Sequence, residues 1–201
     1  MDKSNERTTN KRRKILDNSI KLFVDNDIKK VTMDDIAKLS NVSKMTVYKY
    51  FSDKESLYNY VGVAVIESCY NALIGLLDSD INVIQKMIGV TSVLVDFITQ
   101  EHLSLCIELG ALNNDVNIEI EQFNTNIKEI IISLIKEGKK NKLIYEDISD
   151  ECIYHYIDMG LNYFQHNLEY REKIMSDSSF RRDYMTFIWS NIFIDHSQFK
   201  C

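Results

Sequence analysis

The residues whose types and spacing point most clearly to a chemistry lie between positions 44 and 49. The run Lys44–Lys49 contains two lysines, a methionine, a threonine and a tyrosine, and it has no acidic residue. On a helix, a lysine at the start can donate to guanine O6 or N7, and a methionine or threonine methyl can contact a thymine methyl. A tyrosine and a lysine further along can reach phosphates. This pattern is typical of a helix that enters the major groove of DNA.

A second candidate for chemistry is the pair His102 and Cys106, which could share a helix face as two metal ligands or as a thiolate with its base. The apolar neighbours of the pair instead favour a buried cysteine beside a partly exposed histidine. The sequence has no glycine-rich phosphate loop, nucleophile elbow or metal-ligand cluster, so we predict no enzyme, metal or cofactor. Its cysteines form no close pair, which indicates reduced thiols: Cys69, Cys106, Cys152 and Cys201.

Charge is unevenly distributed along the 201 residues. The net charge is −6, yet residues 1–60 contain 13 lysines and arginines against 9 acidic residues, and the remainder contains 11 against 21. One end could therefore face a polyanion and the other could not. Charged residues interrupt every apolar stretch before the ~18 residues that a membrane span needs, and Met1–Lys14 is too polar for a signal peptide. We expect a cytoplasmic protein that does not contact a membrane.

The elements that must position the DNA-facing run are predicted to be helices throughout, an all-α fold. The chain has no proline and only six glycines, and its apolar residues recur at helical spacing with no convincing strand. The first helices are short and are followed by a longer one from near Asp53 or Lys54. We predict a three-helix domain at residues 1–56 and a larger helical domain at residues 57–201. The three short helices are expected at residues 11–24, 33–39 and 44–51.

Loops and caps complete this interpretation. Polar segments near residues 78–82, 113–115, 139–147 and 176–179 are the expected loops of the larger domain. Ser149, and either Ser178 or Ser179, are the expected N-caps of its last two helices. The first of these two helices is expected to carry apolar residues from Ile153 to Leu168.

Three residues set the geometry of two consecutive helices in the smaller domain. Thr32 can cap the first helix, Asn41 can take a left-handed backbone conformation between them, and Ser43 can cap the second. The side chains of the second helix that can pack inward are Val47, Tyr50 and Phe51. Those left largely outside are Lys44, Met45, Thr46, Tyr48 and Lys49. Two short helices joined in this way form a helix-turn-helix.

The positions that carry a more specific pattern are Ile15-Leu16, Leu22-Phe23, Thr32, Asp35-Ile36-Ala37, Val42-Ser43, Thr46–Phe51 and Lys54–Leu57. With the ending Tyr-x-Tyr-Phe-x-x-Lys-Glu-x-Leu, they resemble the DNA-binding domain of TetR-family transcriptional regulators. The resemblance covers residues 11–60 only. It implies a homodimer whose remaining helices bind an effector, and in that family effector binding changes the distance between the two DNA-reading heads.

The resemblance also implies which residues contact double-stranded DNA. Carried over position by position, the phosphate contacts are Thr32, Tyr48, Tyr50 and Lys54. The residues that approach bases or phosphates are Lys44, Met45, Thr46 and Lys49.

Some residues depart from the family pattern. Asp27 and Asn41 replace usual glycines, and both residue types tolerate left-handed geometry. Met45 replaces a usual small residue, and it either covers a thymine methyl or holds the helix slightly out of the groove. The basic run Lys11–Lys14 is either an arm that contacts DNA or the solvated start of a helix.

Aromatic and polar side chains in the larger domain are the candidates for an effector site. Tyr156, Met159 and Tyr163 lie in a stretch that suits an apolar or cationic ligand, although such a stripe could equally be core or interface. The predicted pocket residues are Cys106, Glu108, Asn113, Phe123, Tyr156, Met159 and Tyr163. The last two helices are predicted to form the dimer interface, through Phe164, Phe187, Ile188 and Ile192.

The sequence thus favours a ligand-responsive DNA-binding regulator. We predict a homodimeric repressor that a small-molecule effector releases from a near-palindromic operator. An alternative is an interaction protein that keeps the same fold and uses the helix-turn-helix surface for a protein partner. DNA binding that is absent or insensitive to salt would favour that alternative.

Overall fold

A computed structural model describes residues 3–195 of the chain, with side chains from residue 8 onward. Within that range the chain forms helices and no named strand, apart from an isolated antiparallel bridge between Ile144 and Phe193. The all-α prediction is confirmed. The helices are α1 (Lys3–Asp25), α2 (Met33–Ser40), α3 (Lys44–Tyr50), α4 (Lys54–Leu77), α5 (Val83–Thr99), α6 (His102–Leu112), α7 (Asn114–Lys140), α8 (Asp150–His166), α9 (Leu168–Ser176) and α10 (Ser178–Ser190).

The chain divides into two compact units. The first unit runs to Ser68 and includes Glu101–Gln122, and the second comprises Cys69–Gln100 and the chain from Phe123 onward. The first unit therefore contains α6 and the beginning of α7 in addition to α1, α2, α3 and the first part of α4. A functional boundary between residues 56 and 57 stays a prediction.

The core of the first unit is built from apolar side chains of its short helices. Helices α1, α2 and α3 pack against one another in sequence, and α6 packs against α1. Gly62 allows a close approach of α4 to α7, because a Cβ atom there would lie 2.6 Å from a methyl carbon of Val116. Side chains in this core that are fully buried include Ile15, Ile28, Ile36, Val47, Phe51 and Leu57.

The second unit is a helical bundle in which α8 and α9 both pack against α5, and α9 packs against α10. The predicted continuous helix from Ile153 to Leu168 is wrong at its end, because Asn167 interrupts it and caps α9 by accepting from the N–H of Tyr170. Ser149 caps α8 as predicted. The expected serine cap of α10 is wrong, because the Asp177 carboxylate accepts from the N–H groups of Ser179 and Phe180. A carboxylate also complements the positive end of the helix dipole.

Helix α4 is the one described helix that alone is long and apolar enough to cross a membrane, with a mean hydropathy of 1.5. Helices α5 and α6 meet that criterion only if they are joined across a bend of 63°. Buried core helices of globular proteins satisfy the same criterion. Helix α4 behaves as such a helix along one face, where Leu57, Val61, Val65 and Leu73 are at most 3% exposed.

Asn41 is expected to be sensitive to loss of its backbone freedom. Its φ of 55° lies in the left-handed region, so Asn41→Ala should lower the free energy of unfolding by about 1–2 kcal/mol, whereas Asn41→Gly should be close to neutral. Urea unfolding of the purified variants measures the difference. Asn124→Ala, in the exposed middle of α7, is the matched control and should cost nothing, because alanine is a better helix former. Equal stability of the two Asn41 variants would contradict the expectation.

Candidate nucleic-acid interface

The start of α2 is fixed by a reciprocal pair of hydrogen bonds. The Thr32 hydroxyl accepts from the N–H of Asp35 at 3.2 Å, and the Thr32 N–H donates to the Asp35 carboxylate at 2.9 Å. The Thr32 hydroxyl also donates to that carboxylate at 2.6 Å. The two bonds that Thr32 donates to the Asp35 carboxylate hold the pKa of Asp35 below its usual value. The bond from the hydroxyl has the larger effect and the bond from the backbone N–H the smaller. The N-cap predicted at Thr32 is confirmed, and it forms a complete capping box.

The turn between α2 and α3 is as tight as the sequence predicts. Asn41 has φ 55° and ψ 50°, and the N–H of Val42 donates to the carbonyl of Ala37 at 3.0 Å. Ser40, which is fully buried, accepts at its hydroxyl a hydrogen bond of 3.2 Å from the Asn18 side chain of α1. The left-handed residue and this side-chain bond fix the direction in which α3 leaves α2. Asp27, by contrast, does not use the left-handed region, and its carboxylate instead accepts from the N–H of Lys29.

Helix α3 presents one face to the core and the other to solvent. Ser43 caps it by accepting from the N–H of Thr46 at 3.2 Å, and both Val47 and Phe51 are fully buried. The predicted outward face is confirmed as a surface. Its exposed members are Lys44, Met45, Tyr48 and Lys49, and its half-buried member is Thr46. Met45 is 81% exposed, the highest value among the exposed large apolar side chains of the described residues. Its side chain therefore has no packing role within the first unit and lies on the solvent side of α3.

Lys44 already has an acidic partner in the same motif. Its Nζ lies 2.8 Å from Oδ2 of Asp34, a residue in the first turn of α2. The hydrogen bond that the Lys44 ammonium donates to the Asp34 carboxylate raises the pKa of Lys44, which therefore stays charged. Sequence reasoning missed this pair because the two residues are ten positions apart and meet only after the turn is folded.

Lys54 and Tyr50 combine packing with partial exposure. Lys54 Nζ donates to the backbone carbonyl of Lys29 at 3.0 Å and lies 5.5 Å from the centre of the Tyr58 ring. The first of these contacts ties the start of α4 to the loop before α2. Tyr50 is half-buried, with its ring 6.5 Å from that of Phe51.

The basic run Lys11–Lys14 lies inside α1 and so is part of a helix, while contact of this run with DNA stays a prediction. Arg12 is half-buried, and its guanidinium lies 4.5 Å from the centre of the Tyr60 ring and 5.7 Å from that of Phe51. Such a cation–π stack stabilises the packing of α1 against α4. The other three basic side chains of the run are exposed.

Comparison with known proteins identifies this arrangement. Residues 15–61 match the family described as "Bacterial regulatory proteins, tetR family". The chain is 25% identical over 126 residues to the biofilm operon icaADBC HTH-type negative transcriptional regulator IcaR of Staphylococcus epidermidis. That match covers 59% of this chain and 66% of the relative, just under two thirds of its length.

Solved structures agree over most of the chain. The ketosteroid transcriptional regulator KstR2 of Mycobacterium tuberculosis has a TM-score of 0.64 at 14% identity, covering 92% of this chain and 95% of that chain. AibR, solved in complex with isovaleryl coenzyme A and operator DNA, has a TM-score of 0.60 at 13% identity, covering 79% and 87%. At these identities the likeness establishes the fold alone.

Residues 15–61 therefore carry a TetR-family domain. IcaR and KstR2 are described as transcriptional regulators, and this chain shares its fold with such regulators. Within the matched segment the outward side chains of α3 lie where the sequence places the predicted DNA-contacting residues. Their individual contact roles stay predictions.

The predicted effector residues are divided between the two units. Cys106, Glu108 and Asn113 lie in the first unit, where Cys106 is buried, Glu108 is exposed, and the Asn113 side chain accepts from backbone N–H groups at the start of α7. The second unit contains the other four, which are Phe123, Tyr156, Met159 and Tyr163. Phe123 is buried there, whereas Met159 and Tyr163 are exposed. The seven residues therefore do not line one pocket within either unit.

The second unit contains a cavity that sequence reasoning missed. It is a small, partly open space with room for about one water molecule, and no charged side chain lines it. Its lining is Met87, Val90, Thr91, Ile131, Leu134, Ile157 and Trp189. The indole N–H of Trp189 is buried and has no hydrogen-bond partner in the described part of the chain. A more open groove of about 480 Å³ lies at Tyr156, whose hydroxyl accepts from the side chain of Asn191 at 3.2 Å.

The predicted dimer residues differ strongly in exposure. Phe187 is 68% exposed, whereas Phe164, Ile188 and Ile192 are at most 7% exposed within a single chain. Phe164 packs edge-on against Tyr184 of α10, with 4.8 Å between the ring centres. Three of the four predicted interface residues are therefore part of the protomer's own core. The helix periodicity revealed their apolar face but not what covers it.

The cysteines and His102 differ in burial. No group of three or more potential metal ligands occurs there. Burial lowers the pKa of His102 and raises the pKa of the Cys69 thiol to about 12, so that thiol stays protonated and unreactive. Cys106 is buried and Cys152 is exposed, while Cys201 lies outside the described residues.

Proposed function

We propose that this chain is a homodimeric repressor that binds a near-palindromic operator and leaves it when a small-molecule effector binds. The observation that carries the proposal is the outward face of α3, whose basic, aromatic and hydroxyl side chains are held in place by the buried residues Val47 and Phe51. The TetR-family match and the negative regulation by IcaR support repression. A cytoplasmic location follows from this role.

Two protomers would place two copies of α3 against one face of the duplex. In helix-turn-helix dimers the two half-sites lie about 34–36 Å apart, one turn of B-DNA. An effector would act by favouring a separation of the two heads that no longer fits this spacing. Its influence on DNA binding equals its difference in affinity for the two conformations.

The exposed apolar side chains of the second unit support dimerisation through α8 and α10. Met159 and Tyr163, one turn apart on α8, are 64% and 48% exposed, and Phe187 of α10 is 68% exposed. Contiguous exposed apolar patches mark interaction surfaces, whereas single scattered apolar side chains do not. We assign the interface to these residues, because they have area to offer to a partner. Phe164, Ile188 and Ile192 would support it from beneath.

The uncharged lining of the cavity beside Trp189 supports a neutral effector. A cationic ligand there would lose its hydration without meeting a compensating charge. Burying an unpaired charge costs on the order of several kcal/mol or more. The unpartnered indole N–H of Trp189 favours a ligand with a hydrogen-bond acceptor, since an unsatisfied buried donor costs about 1–3 kcal/mol. The cavity must widen around the ligand, and flexible Met87 lies in its wall.

DNA binding is tested with the purified protein and the intergenic duplex that flanks its own gene, against a scrambled duplex, across a salt series. We expect preferential binding that weakens steeply with salt. Tyr48→Phe and Lys54→Ala should weaken binding to both duplexes alike, whereas Lys44→Ala should reduce the preference by about 1–3 kcal/mol. The interaction-protein alternative would be favoured if the protein shows no preference for the intergenic duplex at low salt. That result must hold both without added effector and after metabolites from a cell extract are added.

The dimer is tested by placing a charge on the proposed interface. Phe187→Asp should weaken the dimer at least about tenfold, because the substitution occurs twice in a two-fold symmetric interface. Sedimentation velocity over a concentration series measures the change. Ile118→Asp, an apolar-to-acid change at a 54% exposed position of α7, is the matched control and should leave the dimer intact. Equal dissociation in both variants would argue against α10 as part of the interface.

The effector site is tested with the chain's single tryptophan as reporter. We expect 1-octanol to change the fluorescence of Trp189 and to weaken operator binding, and octyltrimethylammonium, with the same tail and a fixed charge, to do neither. Leu134→Phe, which fills the cavity, should abolish the response to octanol, and Met175→Phe, at an exposed position of α9, should not. Identical responses to the two probes, or a response to octanol that persists in Leu134→Phe, would show that the effector site is not this cavity.

A further inference from the structure

The helix-turn-helix holds an acidic side chain against the first basic side chain of α3. Lys44 Nζ and Asp34 Oδ2 are 2.8 Å apart, and the two side chains are 51% and 62% exposed. The ion pair joins the first turn of α2 to the first turn of α3. The other lysine of α3, Lys49, forms no ion pair within the described part of the chain. The two lysines of the DNA-facing surface therefore stand in different electrostatic surroundings.

Contact with a base is compatible with the ion pair. A lysine ammonium has three N–H donors, and Asp34 accepts one of them. The others stay available for the O6 and N7 acceptors of a guanine in the major groove. Because the carboxylate already restricts the ammonium, Lys44 loses less conformational freedom when it meets a base.

Contact with phosphates is affected differently. Binding to DNA of any sequence comes from lysines and arginines that neutralise phosphates and release counterions. A lysine whose charge is balanced by a carboxylate contributes less to this term, and the carboxylate itself repels the phosphate backbone. The ion pair should therefore lower affinity for random DNA more than affinity for the operator.

We propose that Asp34 is a positioning residue for DNA specificity, which directs Lys44 toward a base and withholds its charge from phosphates. Its acidic neighbour Asp35 cannot take this role, because the Asp35 carboxylate is engaged by Thr32. The inference rests on the proposed function, since it requires a chain that prefers its operator to other DNA.

The first test compares Asp34→Asn with the wild type by fluorescence anisotropy, on the operator and the scrambled duplex over a salt series. Affinity for the scrambled duplex should rise about 1.5- to 5-fold, the range of an exposed ion pair. Its salt slope should steepen by up to about 0.9, the value for one additional phosphate contact. Affinity for the operator should change less, so that the ratio of the two affinities falls.

Two further variants separate position from charge. Asp34→Glu restores the carboxylate and should return the ratio toward the wild-type value. Glu119→Gln, at an exposed position of α7, makes the same change in net charge and should leave the ratio unaltered. Thermal unfolding of each variant shows whether α2, which has lost an acid from its first turn, retains its stability.

A double-variant cycle decides whether Asp34 acts through Lys44. In a Lys44→Gln background, Asp34→Asn should no longer change the ratio. A ratio that falls equally in that background would mean general repulsion of DNA by Asp34 and would overturn the proposal, as would an unchanged ratio in the single variant. A wild-type protein without preference for the operator would instead contradict the proposed function, so the two failures are distinguishable.

Discussion

The outward surface of α3 depends on the burial of one side of a seven-residue helix. Helix α3 is too short to be stable by itself, since isolated helices need about 12–15 residues to be even marginally stable in water. Burial of Val47 and Phe51 removes one valine and one phenylalanine side chain from water, each worth about 1.5–3 kcal/mol. Because these two residues are four positions apart, their burial fixes the rotation of α3. That rotation alone determines that Lys44, Met45, Tyr48 and Lys49 face outward.

Local hydrogen bonds make this arrangement specific rather than merely compact. The Thr32–Asp35 capping box sets where α2 begins, the left-handed Asn41 ends it, and Ser43 begins α3. Each of these features uses a backbone group that a helix end would otherwise leave without a partner. The same features bring Asp34 to Lys44, so the chemistry of the surface follows from the geometry of the turn. The residues that fix the turn and the ion pair that we propose to direct DNA recognition therefore lie within the same stretch of about twenty residues.

The rest of the chain has the opposite electrostatic character, which suits a different task. Beyond residue 60 acidic residues outnumber basic ones, so this part of the molecule does not attract nucleic acid. Its second unit contains a small cavity without charged lining residues, and exposed apolar side chains on α8 and α10. In a ligand-responsive regulator these two features belong to one domain. A change in the shape of the cavity can alter DNA binding only if the domain has two conformations of comparable free energy.

The sequence by itself determined the helical class, the helix-turn-helix and the outward face of α3. These depend on local signals, namely helical periodicity, N-caps at Thr32, Ser43 and Ser149, and an asparagine that tolerates positive φ. Only the tertiary structure decided that Lys44 meets Asp34 and that Arg12 stacks on Tyr60. It also decided that Phe164, Ile188 and Ile192 belong to the protomer core and that a cavity lies beside Trp189. Such features join residues from different helices, and periodicity shows which side of a helix is apolar without showing what covers that side.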